Sequence, residues 1–140
     1  MSSNPLKEKL QSFQKLLEVM SELRKKCPWD KEQTFDTLRT LTIEETYELS
    51  DAIINKDFNE IKKELGDLLL HIVFYAEIAN EQSIFDIKDV CDKLCEKLIY
   101  RHPHIFSDTA ANNAKDVEQN WEQLKLAEKG GNKTVLEGVP

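Results

Sequence analysis

Apolar residues recur along this chain at three- and four-residue steps, the period of an amphipathic helix. Leu10, Phe13, Leu16, Leu17 and Met20 form the first such stripe and predict a helix from about Leu6 to Lys26. Cys27-Pro28-Trp29-Asp30 ends it, because proline biases the residue before it away from α. A second helix starts between Thr34 and Thr37 and runs to about Asn55. Asp57 caps a third, with Glu60 three residues later as in a capping box, and this helix runs to about Glu81. Asp86 opens a fourth that extends to about Arg101 and carries Val90, Cys91, Leu94, Cys95, Leu98 and Ile99 on its apolar face. His102 to Asn113 reads as a loop, with Pro103 blocking extension. A last helix spans about Ala114 to Lys129, Gly130 stops it, and residues 131–140 read as a loosely ordered tail. The pattern therefore predicts an all-α fold of about five helices in a single domain over residues 1–140.

The third helix departs from simple amphipathicity. Leu68 to Ala76 is apolar nearly all round, the mark of a helix buried on several sides. A chain of this size rarely buries one helix so fully, so a homo-oligomeric interface is expected. Glu60, Glu64, Asp67 and His71 nevertheless share one stripe at i, i+4, i+7 and i+11. Charges along a buried rod are costly unless paired or metal-bound. The second helix carries a matching set, Glu44-Glu45-x-x-Glu48. Residues three or four apart lie on one helix face, with Cβ atoms roughly 5–6 Å apart. Two such faces packed together converge at least four carboxylates, which repel each other and raise their own pKa values. A hard divalent cation relieves the repulsion, and Mg²⁺ takes oxygen ligands, keeps waters and bridges to phosphates. The bland alternative is a solvated acidic face rich in a good helix former; the buried character of the third helix counts against it at Glu64 and Asp67. Glu44 sits about 100° around the helix from Glu45.

Composition changes the picture in two ways. The net charge of −7 argues against a nucleic-acid polymer or an anionic membrane as partner, but not against a nucleotide whose charge a metal offsets. The three cysteines (Cys27, Cys91 and Cys95), with a polar Met1–Lys9 segment, point to free thiols in a cytoplasmic protein. Cys91-x-x-x-Cys95 followed by His102-x-His104 lacks the C-x-x-C spacing of a zinc knuckle. Both cysteines read as small hydrophobes on an apolar face.

Other residues carry weaker signals. Lys93, Lys97 and Arg101 form a basic stripe, either cations favoured by a helix C-terminus or a phosphate clamp in which Arg101 offers a bidentate fork. Trp29 and Trp121 are core residues or stacking platforms for a base, and Lys125 is a surface lysine or a phosphate contact one turn beyond Trp121. His71 reads as a hydrogen-bond partner within the seam. The chain has no glycine-rich phosphate loop, no G-x-S-x-G and no H-E-x-x-H.

Taken in order, Glu44-Glu45-x-x-Glu48 with Glu64-x-x-Asp67, Cys27-Pro-Trp-Asp-Lys-Glu-Gln33, Lys97-Leu-Ile-Tyr-Arg-His-Pro-His-Ile-Phe106 and Asn120-Trp-Glu-Gln-Leu-Lys125 resemble the MazG family of nucleoside triphosphate pyrophosphohydrolases. The resemblance covers about residues 10 to 140. It implies an all-α fold with a four-helix-bundle core, completed by dimerisation, and hydrolysis of an NTP or dNTP to NMP and pyrophosphate in nucleotide-pool house-cleaning. It implies Mg²⁺, with Mn²⁺ as a substitute, held by Glu45, Glu48, Glu64 and Asp67, and Glu44 or Glu48 acting on the attacking water. Lys97, Arg101 and Trp121 map onto nucleotide-contacting positions, as does the stretch from Leu41 to Glu45; Lys63 or Lys62 approaches the phosphates. Tyr100 stands where a basic residue is common. Many members carry two such domains, whereas this chain reads as one, either a stand-alone form or a piece of a longer relative. Two other classes compete. A di-iron bundle would need Glu-x-x-His on two helices, and neither acidic motif has it. A non-catalytic nucleotide sensor or helical adaptor would use the same faces without turnover.

Overall fold

The computed structural model describes residues 4–108 and 110–129, and these form seven helices and no strand. The tail expected over residues 131–140 lies outside the described residues. Helix α1 (Pro5–Lys26) begins where the Asn4 side chain accepts from the Lys7 amide at 3.2 Å, with Pro5 in the first turn, where its missing N–H costs nothing. Helix α3 (Phe35–Ile54) opens on a reciprocal cap. Thr34 accepts from the Thr37 amide at 3.1 Å while the Thr37 hydroxyl accepts from the Thr34 amide at 2.8 Å. Asp57 caps α4 (Phe58–Glu81) by accepting from the Glu60 amide at 3.2 Å. Helices α5 (Ile87–Arg101) and α7 (Ala114–Lys129) follow the periodicity closely. Two short helices, α2 (Pro28–Glu32) and α6 (Pro103–Phe106), stand where the sequence reads as breaks.

The chain divides into two compact units, one up to Lys88 and a second from Asp89. In the first, α3 packs along α4, and α1 packs against α2 and α4. Met20, Leu38, Val73, Phe74 and Ile78 form its core. Arg24 ties this core to the segment before α3. Its Nε and Nη2 donate to Glu81 at 2.6 and 3.0 Å, and its Nη1 donates to the carbonyls of Asp30 and Gln33 at 2.6 and 2.8 Å. The chain leaves α3 and α4 through residues at positive φ, Lys56 (55°) and Ser83 (57°), neither of them glycine.

The all-round burial expected for Leu68–Ala76 holds only in part. Val73, Phe74 and Ala76 are buried, but Leu69, Leu70 and Ile72 are exposed. Cys91 and Cys95 are both exposed, not the buried hydrophobes their apolar face suggested. Periodicity places residues on one face but does not supply a surface to cover it, and α5 has no buried residue.

Candidate functional site

The packing of α3 along α4 brings Glu45, Glu48 and Glu64 together, with one carboxylate oxygen from each lying within 4.8 Å of the others. Glu64 is 5% exposed, an extreme position for a carboxylate. Among the described residues it makes a loose ion pair, 3.6 Å from Oε1 to Lys63 Nζ, and Lys63 also faces Glu60 at 3.8 Å. Glu60 and then Glu64 hold the exposed Lys63 ammonium above its usual pKa. Oε2 of Glu64 and Oε2 of Glu45 are enclosed without any hydrogen-bond partner.

Glu45 records the cost of this crowding. Burial, then the charges of Glu48 and Asp67, then contact with Glu64, push its carboxyl up to about 7. Asp67 is therefore close enough to act on Glu45. Without a cation, the Glu45–Glu64 contact needs a proton between the two groups. The chemistry of the set fits a hard divalent cation: all donors are carboxylate oxygens, two are enclosed and unpartnered, and the repulsion among them is what such an ion removes. Glu44, on the neighbouring face of α3, is exposed.

One turn further along, burial lowers the His71 pKa against the opposing pull of Asp67. His71 Nδ1 lies 2.7 Å from the Thr42 hydroxyl, which also meets Tyr75 OH. The sequence reading ended the seam at His71. Tyr75 extends the stripe by one more i+4 step, and that spacing was the available signal. Leu41 packs against the core, and Trp29 is 54% exposed on α2.

The second unit holds the basic and aromatic residues. Arg101 is bound bidentately by Glu128, at 3.2 Å from Nε and 2.9 Å from Nη2, so its fork is already occupied. That hydrogen bond raises the Arg101 pKa and lowers that of Glu128. Lys97 lines a surface groove with Lys93, Leu94, Tyr100 and Glu128. Lys125 lies 4.0 Å from Glu122. Trp121 meets the His102 ring edge-on at 5.2 Å between centroids, and its Nε1 is enclosed without a partner, as are Asn120 Nδ2 and His104 Nδ1. Among the described residues, Glu45, Glu48 and Glu64 are the one group of three His, Cys, Asp or Glu spaced to hold a metal.

Described residues that are all helical where regular, with carboxylates of two packed helices converging on one another, define a class of acidic helical domains. The matches to known proteins make the class specific. Residues 33–106 match the family model described as MazG nucleotide pyrophosphohydrolase domain. The chain is 44% identical over 136 residues to the nucleoside triphosphate pyrophosphohydrolase of Escherichia coli K12, covering 94% of this chain and 52% of that protein. It is 45% identical over 124 residues to the nucleoside triphosphate pyrophosphohydrolase/pyrophosphatase MazG of Thermotoga maritima, covering 87% of this chain and 47% of that protein. The crystal structure of a mazG-related protein from Thermotoga maritima superposes with a TM-score of 0.69 at 26% identity, over 80% of this chain and 97% of that one. The chain belongs to the MazG nucleotide pyrophosphohydrolase domain family. It spans about half the length of these two curated relatives.

Proposed function

We propose that this chain hydrolyses nucleoside triphosphates, ribo- or deoxyribo-, to the monophosphate and pyrophosphate in a Mg²⁺-dependent reaction. The observation that carries the reading is the pair of enclosed, unpartnered carboxylate oxygens on Glu45 and Glu64, beside Glu48, in a domain of this family. Glu45, Glu48, Glu64 and Asp67 would hold the ion, with Mn²⁺ as a substitute. A bound divalent ion supplies Lewis-acid polarisation of phosphate oxygens and a lowered pKa for water. Glu44 or Glu48 accepts the proton of the attacking water. Lys97 and Arg101 offset charge on the leaving pyrophosphate; Arg101 does so by exchanging Glu128 for phosphate. Lys63 and Lys125 add to that charge, and Trp121 or Trp29 stacks on the base. Free cysteines are in keeping with a cytoplasmic setting, and membership of this family with a role in keeping the nucleotide pool clean.

A second copy of the chain completes a four-helix core in this reading. Leu65, Leu69 and Ile72, at i, i+4 and i+7 on α4, are 51%, 40% and 42% exposed. They lie roughly a third of a turn around from the acidic seam. Leu6 and Leu10 of α1 are also exposed, and Leu69 shares a groove with Phe13 and Leu16. Such an apolar surface is expected to be covered.

The test is to incubate the chain with each NTP and dNTP plus Mg²⁺, with an EDTA control, and resolve the products by ion-exchange chromatography. NMP and pyrophosphate are expected only with metal. NDP and phosphate would mean a different bond is cut, and no product from folded protein would favour a nucleotide sensor or adaptor.

A further inference from the structure

Thr42 is one turn before Glu45 on α3, and His71 and Tyr75 are one and two turns after Asp67 on α4. The Thr42 hydroxyl has one hydrogen and two acceptor lone pairs, and it makes three contacts. It lies 3.0 Å from the Leu38 carbonyl, 2.7 Å from His71 Nδ1, and within hydrogen-bond reach of Tyr75 OH. A carbonyl has no proton to give, so Thr42 donates to Leu38. The single hydroxyl proton is then used, and the other two contacts must bring their own. Tyr75 donates through its phenol, and His71 donates from Nδ1. The Tyr75 ring is held for this by Phe35, stacked at 5.6 Å and 4°.

The proton on Nδ1 sets the state of the other ring nitrogen. In neutral His71, a proton on Nδ1 leaves Nε2 with a bare lone pair. His71 is 8% exposed, and no described residue is hydrogen-bonded to its Nε2. Among the described residues, Nε2 is also not one of the fully enclosed unpartnered side-chain atoms. It belongs to the same helix face as Glu64 and Asp67.

We infer that Thr42, its remaining lone pair filled by Tyr75, is a positioning residue that holds His71 as the Nδ1–H tautomer, and that His71 Nε2 is a hydrogen-bond acceptor for a protic group of the bound nucleotide or its water beside Asp67. The inference rests on the nucleotide-hydrolase reading for its ligand but not for its tautomer.

Long-range ¹H–¹⁵N correlation on the labelled full chain reads which imidazole nitrogen carries the proton. The expected result is a proton on Nδ1 and a bare Nε2 in the wild type, kept in Thr42→Ser and in Tyr75→Phe, where Thr42 still donates to Leu38, and mixed in Thr42→Val. A wild-type proton on Nε2 would overturn the inference, whether or not the chain turns over a nucleotide. Steady-state kinetics supply the second arm. His71→Asn, which keeps a polar atom near Nδ1 and removes Nε2, and Thr42→Val are each expected to lower kcat about 10- to 100-fold with KM changed less, as for groups that orient site residues. Thr42→Ser should recover most of that loss. Wild-type kcat in folded His71→Asn would overturn the acceptor role. If Thr42→Val does not fold, the wild-type spectrum and His71→Asn still decide. A wild type with no hydrolysis at all but the expected spectrum would sink the function and leave the network standing.

Discussion

The two halves of α4 obey opposite rules. From His71 onward the helix buries Val73, Phe74, Ala76, Ile78 and Ala79, an ordinary core. Before His71 its only buried residue is Glu64, while Phe58, Leu65 and Leu69 are exposed. One half hides hydrocarbon and shows polarity; the other hides a carboxylate and shows hydrocarbon. The hydrophobic effect selects the first arrangement and opposes the second. The C-terminal half can therefore stabilise itself, whereas the N-terminal half has the arrangement that the proposed cation inside and a second copy outside would complete.

Breaking each half should give opposite results. Phe74→Ala is expected to cost about 3–5 kcal/mol by urea denaturation, with the acidic cluster chemically untouched. Glu64→Gln should lower turnover on the order of 10²- to 10³-fold and leave the metal-free protein at least as stable as wild type. If Glu64→Gln unfolded the chain, the division of α4 would fail. Leu65→Lys with Leu69→Lys should weaken self-association by on the order of 2 kcal/mol, visible by sedimentation as a shift toward monomer. A monomeric wild type would remove the outer half of the comparison.

A separate effect is on pH dependence. Folding raises the Glu45 pKa from 4.5 to about 7. Between those values the folded chain keeps a proton that the unfolded chain has lost, so stability falls as pH rises through the window. The contribution is fully present below the lower value and gone above the upper one. Thermal melts of metal-free protein should follow this slope. Saturating Mg²⁺ should raise the melting temperature above pH 7, on the order of 5 °C, and Glu45→Gln should flatten the slope.

Much of this was legible in the sequence. The long helices follow from periodicity and caps, and the Glu45–Glu48–Glu64 convergence follows from spacing plus the expectation that two helices pair. Three things were not. Pro28 and Pro103 read as helix breakers, yet each occupies the first turn of a short helix, where proline is a start as much as a stop. Tyr75 counts as apolar in a hydrophobic pattern, which hid its hydroxyl at the end of a polar stripe. Arg101 looked like an open phosphate fork because no local rule links it to Glu128, 27 residues away.

Lys56 and Ser83 bracket α4 in the left-handed region that L-residues enter at a cost of roughly 1–2 kcal/mol. Both are turn positions that glycine adopts without that strain. The scaffold thus contains untapped tolerance at two sites distinct from its carboxylates, Lys56 before the acidic half of α4 and Ser83 after the core half. A protein engineer could stiffen it there first, and spend the gain on substitutions near the site that the natural chain would not survive.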